Sequence, residues 1–253
     1  MIVRILSYNI MCGGFESYED KSDKPEKFSQ LVTVIKSIRA DFVCLIDTYR
    51  WKSLFSDDDL KNIFGYKNVY SIDIEDESVG IPVGLTVMTN EKVKTMETVR
   101  LFSRNAIKVV TDKMEIFTVY LDDKSEDVRL KQIWSLLAMV DPGKPTILIG
   151  DFNTIDKGDQ VLIRSPIFQI LEKRIKEMRR GEVTELIKMN GFRDADPKGQ
   201  KTVPTKLSPI KIPPVLRLDY VFYKNIKVNN FEVLKGKEFD YLSDHYPIWA
   251  EIE

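Results

Sequence analysis

The order of apolar runs predicts an α/β chain in which two sheets pack face to face. Three observations carry that expectation. Short strand-like runs recur along the whole length, some joined by helix-like segments and others by hairpin-like turns. Two segments repeat apolar residues at the 3.6-residue period of a helix with one buried stripe. Composition does not shift along the chain, so residues 1–253 read as a single α/β or α+β domain with sheet-on-sheet packing.

Taken in order, Ile2 to Ile10 alternates as a strand does. Pro25 to Arg39 reads as a helix capped by Ser22 or Asp23, with Phe28, Leu31, Val32, Ile35 and Ile38 on one face. Phe42 to Ile46 is a short apolar run, hence a buried strand, and Asp57 to Phe64 a short helix. Strands then dominate: Val69 to Ile74, Val83 to Thr89, Ala106 to Thr111 and Glu115 to Leu121. Ser125 to Val140 is the second amphipathic helix, with Val128, Ile133, Trp134, Leu137 and Val140 facing inward. Thr146 to Ile149 is a buried strand ending at Gly150, and residues 159–190 are mostly helical with a break near Gly181. Residues 194–216 form a long loop rich in proline and lysine. Leu218 to Lys224, Val228 to Val233 and Tyr246 to Ile252 close the chain as strands.

Composition narrows the chemistry. The apolar share of 43% and a near balance of 38 basic and 39 acidic residues exclude intrinsic disorder. The longest apolar runs fall short of the ~20 residues a membrane-spanning helix needs. Strand-like sequence begins at Ile2, where a secretory leader would be basic and then apolar, and a cytoplasmic protein is expected. Two cysteines, Cys12 and Cys44, are too few for a disulfide scaffold, and both are expected as free thiols. One histidine excludes a histidine-rich zinc or dinuclear site. A metal here must be held mainly by oxygen, which points to Mg²⁺, Mn²⁺ or Ca²⁺. Any step that needs an imidazole falls to His245.

Four apolar strands end in polar groups able to meet a metal or a phosphate. They are ILSYN ending at Asn9, FVCLID ending at Asp47, ILIGDFN giving Asp151 and Asn153, and YLSDH giving Asp244 and His245. A fifth, RLDYVF, sets Asp219 inside an apolar strand, where a carboxylate needs a partner. Singly, an Asp or Asn after a strand is an ordinary turn residue. Together the five segments supply carboxylates, carboxamides and one imidazole, the inventory of metal-assisted phosphate-ester hydrolysis.

These motifs carry a resemblance. ILSYN at 5–9, GDFN at 150–153, RLDYVF at 217–222 and SDHYPI at 243–248, with GFRDA at 191–195 and VRLKQ at 128–132, resemble the endonuclease/exonuclease/phosphatase superfamily over nearly the whole chain. The resemblance implies a four-layer α/β sandwich, two facing mixed sheets flanked by helices. It implies Asn9 and Asp47 as residues of a Mg²⁺ (or Mn²⁺) site, with Asp244 assisting. Asp151 would orient or deprotonate the attacking water, and Asn153 would hold that water or a phosphate oxygen. His245 would contact the phosphate, partnered by Asp219. Many members carry Gln-Glu where this chain has Ile46-Asp47, and His before Leu where it has Tyr120-Leu121. The Tyr120 phenol can still donate to phosphate.

The expected activity is a Mg²⁺-dependent phosphodiesterase, a nuclease with DNA or RNA as partner. Two alternatives stay open: a phosphatase for a small phosphorylated metabolite or lipid headgroup, and a non-catalytic binding protein on the same scaffold. The loop lysines Lys201, Lys206 and Lys211 lead into Asp219 and are candidates for steering a polyanion. The basic run Lys173, Arg174, Lys176, Arg179 and Arg180 reads as a solvated helix face.

Overall fold

The computed structural model describes residues 2–20, 22, 25–74, 83–159, 172–208 and 213–253. Among these residues twelve strands form two six-stranded mixed sheets. The first contains β1 (Val3–Asn9), β2 (Phe42–Ile46), β3 (Asn68–Ile74), β4 (Val83–Thr89), β11 (Val228–Val233) and β12 (Ile248–Ile252), in the order β11-β12-β1-β2-β4-β3. The second contains β5 (Val93–Leu101), β6 (Arg104–Thr111), β7 (Glu115–Tyr120), β8 (Thr146–Asp151), β9 (Arg193–Asp194) and β10 (Asp219–Lys224), in the order β5-β6-β7-β8-β10-β9.

Six described helices complete the fold: α1 (Phe28–Ile38), α2 (Trp51–Leu54), α3 (Asp57–Phe64), α4 (Glu126–Leu137), α5 (Glu172–Met178) and α6 (Glu182–Met189). Strand β8 shows how the layers arise. Its successive side chains point to opposite faces. Ile147 and Ile149 join the cluster between the sheets, and Leu148 joins the cluster under α4 and α6. Both faces are buried, which is why TILI reads as a continuous apolar run rather than an alternation. Leu31 and Ile35 of α1 and Leu60 and Phe64 of α3 pack into the core from the first sheet's side. Ile133 and Leu136 of α4 and Val183 and Ile187 of α6 pack onto the second sheet. Helix, sheet, sheet, helix is the four-layer sandwich expected.

Each sheet has one parallel pair at its centre, and these pairs set the site. Asn9 stands opposite Ile46 at the end of β1 and β2, and Tyr120 opposite Asp151 at the end of β7 and β8. Strand β10 runs antiparallel to β8, bringing Asp219 opposite Asp151. Strand β12 runs antiparallel to β1, so the residues just before it reach the same rim.

The structure corrects several elements. Helix α1 starts at Phe28 with Lys27 at its N-cap and no side-chain cap; Ser22 does not cap it, and Asp23 lies outside the described residues. Helix α4 ends at Leu137, and Trp134 faces solvent at 59% exposure. Its buried face is Glu126, Arg129, Gln132, Ile133 and Leu136, which hydropathy alone does not pick out because three of these are polar. They are bonded internally: Glu126 accepts from Arg129 Nε at 2.8 Å, Arg129 Nη1 donates to Asp122 O at 2.8 Å, and Gln132 accepts from Asp122 N at 2.9 Å. Strand β5 was not expected, because an edge strand reading VKTMETVRL is mostly exposed and carries polar residues on both faces. Residues 160–171 of the expected 159–190 helical stretch lie outside the described residues.

Candidate active site

A cleft of about 400 Å³ opens at the rim where both central strand pairs end. Asn9, Asp47, Tyr120, Asp151, Asn153, Asp244 and His245 all line it. Asp219 is buried beside them, bonded to the histidine.

Asn9, Asp151, Asn153, Asp219, Asp244 and His245 are joined by one connected set of hydrogen bonds. Asn9 Nδ2 donates to Asp151 Oδ2 at 3.0 Å, joining the two sheets across the site. Asp151 Oδ1 accepts from Asn153 N at 2.9 Å. Asn153, in the left-handed region at φ 49°, turns its carboxamide back so that Nδ2 donates to Leu121 O at 2.9 Å. Asn tolerates that backbone better than most residues, which explains the residue type at the turn after β8. Ser243 Oγ donates to Asn9 O at 2.6 Å and accepts from His245 N at 3.2 Å, fastening the SDH segment to β1.

His245 Nδ1 lies 2.8 Å from Asp219 Oδ2, and Nε2 lies 3.8 Å from Asp151 Oδ2. His245 is 6% exposed. Burial opposes the imidazolium, but the Asp219 carboxylate, with Asp151 and Asp244 nearby, outweighs it and raises the histidine pKa. Burial raises the Asp151 pKa, reinforced by the charge of Asp219 and opposed by His245. Burial first, then the charges of Asp47 and Asp151, holds the Tyr120 phenol well above its ordinary pKa, so it stays a donor.

Asp151, Asp219 and His245 bring ligand-type atoms within 4.8 Å of one another. We read them as a hydrogen-bonded acid–base group rather than a metal cage, because Nδ1 is already engaged by Asp219. The donors that fit a hard cation are Asp47, Asp244 and Asn9, which line the same cleft. Asp47 Oδ2 accepts from Cys12 N at 3.0 Å and from the Tyr18 hydroxyl, while Asp47 Oδ1 is buried with no hydrogen-bond partner among the described residues. Burial pushes the Asp47 carboxyl up to about 6, against the bonds from Tyr18 and Cys12, with the charge of Asp244 adding to the rise. An orphaned buried carboxylate oxygen, a second acid nearby and the Asn9 carboxamide make an all-oxygen set that suits Mg²⁺ or Mn²⁺.

Other expected site residues lie apart. Lys201 pairs with Asp159 at 3.6 Å and Lys206 with Asp240 at 2.6 Å, and neither lines the cleft. Lys211 lies outside the described residues. Sequence reasoning missed Tyr18, Arg104 and Arg174, all of which line the cleft. Arg104 is 1% exposed; its Nη1 donates to Leu121 O at 2.7 Å and its guanidinium lies 4.9 Å from the Tyr120 ring centroid. An arginine at the head of a buried strand was the available signal. Arg174, expected on a solvated face, bonds Asp123 O at 3.2 Å at the cleft edge. The lining also has an apolar part, built by Ile175, Met178, Val203, Leu216 and Leu218.

A sequence profile described as the Endonuclease/Exonuclease/phosphatase family matches residues 6–245. A search of curated proteins found no match. Solved structures with the same fold include an endonuclease/exonuclease/phosphatase from Beutenbergia cavernae DSM 12333, at TM-score 0.70 and 17% identity over 100% of this chain and 71% of that one. An AP endonuclease from Archaeoglobus fulgidus superposes at TM-score 0.69 with 15% identity, over 98% of each chain. The human Nocturnin catalytic domain superposes at 0.67 with 15% identity, over 100% of this chain and 94% of that one.

Proposed function

The chain belongs to the Endonuclease/Exonuclease/phosphatase family, and from that premise we propose that it is a Mg²⁺- or Mn²⁺-dependent phosphodiesterase acting on DNA or RNA. The observation that carries the reading is the His245–Asp219 pair set across the cleft rim from Asp151. Residues 1–253 act in it as one catalytic domain.

A bound divalent cation would neutralise charge on the scissile phosphate, held by Asp47, Asn9 and Asp244. Asp151 takes the proton of the attacking water. Its raised pKa suits that task near neutral pH, and the Asn9 and Asn153 bonds fix its carboxylate in place. The His245 imidazolium donates from Nε2 to the phosphate oxygens, while Asp219 orients the ring through Nδ1. Tyr120 adds a second donor from β7. Lys201, Lys206 and Lys211 guide a polyanion along the loop that leads to Asp219.

A substrate panel tests the reading: single- and double-stranded DNA, abasic DNA, RNA, inositol phosphates and a chromogenic phosphodiester, each with Mg²⁺, Mn²⁺ and EDTA. Hydrolysis of a nucleic acid that stops in EDTA is expected. Undiminished hydrolysis in chelator rules the mechanism out. One observation favours a second reading, a phosphatase for a small phosphorylated metabolite or lipid headgroup. The cleft joins an apolar wall to the polar site, and neither Lys201 nor Lys206 lines it. Turnover confined to the inositol phosphates selects that reading.

A further inference from the structure

Asp47 has two oxygens in different circumstances. Oδ2 accepts from Cys12 N at 3.0 Å and from the Tyr18 hydroxyl. Oδ1 is buried and accepts nothing from the described residues. The segment that brings both donors is docked tightly. Gly13 N donates to Asp47 O at 2.8 Å, and Trp51 Nε1 donates to Gly13 O at 2.9 Å. Gly13 adopts φ 62°, and a Cβ there would lie 2.5 Å from Tyr49 O, so only glycine allows this approach. Tyr49 in turn fixes Tyr18: its hydroxyl donates to Tyr18 O at 2.8 Å, and the two rings meet edge to face with centroids 5.3 Å apart. Tyr18 therefore reaches Asp47 from a rigid base, and it lines the cleft.

A carboxylate can meet a cation through one oxygen or through both. Ca²⁺ takes six to eight oxygens in flexible geometry and accepts bidentate carboxylates. Mg²⁺ demands a near-ideal octahedron and keeps several waters. Oδ2 already accepts two hydrogen bonds, so a bidentate contact at Asp47 would have to displace at least one of them. We infer that Tyr18 is a specificity-determining positioning residue, which holds Asp47 as a one-oxygen ligand and so favours Mg²⁺ or Mn²⁺ over Ca²⁺. The inference deepens the proposed function and rests on the metal role given there to Asp47. The backbone adds to it: Asp47 sits at φ 61° with its carbonyl bonded to Gly13, so the side chain has little freedom to re-aim.

Calorimetric titration of the full chain with MgCl₂, MnCl₂ and CaCl₂, without substrate, tests this. Tyr18→Phe keeps the ring on Tyr49 and removes only the donor. It should weaken Mg²⁺ binding on the order of 10–100-fold, as loss of a partner behind a metal ligand typically does. Ca²⁺ binding should weaken far less, so the Mg²⁺-to-Ca²⁺ affinity ratio falls by about tenfold or more. General loosening of the loop would weaken all three ions alike, and an unchanged ratio in a variant that melts normally in EDTA overturns the inference. If Tyr18→Phe does not fold, Tyr49→Phe decides the matter: a smaller ratio shift in the same direction supports it, and none overturns it. A wild-type chain that takes up none of the three ions removes both the inference and the metal reading. Wild-type binding with an unshifted ratio removes the inference alone.

Discussion

In the proposed mechanism His245 is the residue on which the chemistry turns, and its neighbours make that role measurable. A protein with a single imidazole gives a single histidine signal in a proton NMR titration. Its pKa should lie above the ordinary value of about 6.5 and fall in Asp219→Asn, because the carboxylate that holds the imidazolium is gone. His245→Ala should lower turnover on the order of 10²–10³, the usual cost of losing a preorganised donor, in a chain that still folds. A pKa indifferent to Asp219, with full activity in His245→Ala, would take the ring out of the mechanism. Asp47→Glu probes the other half of the site. The shorter acid is matched to its surroundings, with Oδ2 already placed against Cys12 N and Tyr18. An extra methylene should break that fit, and Mg²⁺-dependent hydrolysis should fall. Equal or higher activity in Asp47→Glu would show that the backbone has not adapted to aspartate. The acids, amides and imidazole of the site were legible in the sequence because each borders an apolar strand: Asn9, Asp47, Asp151 and Asn153 at or just past strand ends, Asp219 at the head of β10, and Asp244 and His245 just before β12. Tyr18 and Arg104 were not, since nothing local marks a lone tyrosine or arginine as cleft-facing.

At the scale of elements, the period of α4 was legible and Ile133 faces inward as expected, with Leu137 and Val140 packed against the same cluster, but Trp134 does not and the polar part of the buried face was not legible. The helix buries Glu126 and Arg129, paired at 2.8 Å with neither side chain exposed, and leaves Trp134 in solvent. Breaking a buried pair by removing one partner costs about 3–5 kcal/mol, because the other charge is left uncompensated. Arg129→Met should therefore lower stability by roughly that amount in urea melts. Trp134→Ala should stay within about 0.5 kcal/mol, as exposed substitutions do. The reverse ranking would mean that the helix packs with the face the hydropathy pattern suggests. Strand β8 offers a second test. Gly150 has φ 140°, and a Cβ there would lie 2.0 Å from Val119 O. Backbone cannot rotate out of the way as a side chain can, so Gly150→Ala should force β7 and β8 apart next to Tyr120 and Asp151. Loss of both stability and turnover is expected, and a fully active, normally stable Gly150→Ala would contradict that packing.

Across the whole molecule, net charge is −1, so attraction to a polyanion must come from local patches. Neutralising Lys201, Lys206 and Lys211 together should weaken nucleic-acid binding and flatten its dependence on salt, because fewer counterions are released. A small chromogenic diester should be cut as before. Equal loss on both substrates would assign the loop to the fold instead. The sequence by itself determined the layered α/β class, most strand positions and the residue types of the site, because periodicity and strand-end polarity are local properties that burial imposes on the chain. Composition alone narrowed the proposed chemistry to oxygen donors and one imidazole. Only the tertiary structure decided which polar groups share one rim. Asn9 and Asp151 are 142 residues apart and bond across two sheets, and Ser243 reaches Asn9 over 234. Only it showed that Lys201 and Lys206 pair with Asp159 and Asp240, and that Tyr18 stands on Asp47. The reason is physical: strand pairing and sheet stacking bring distant segments together through contacts that no local pattern encodes.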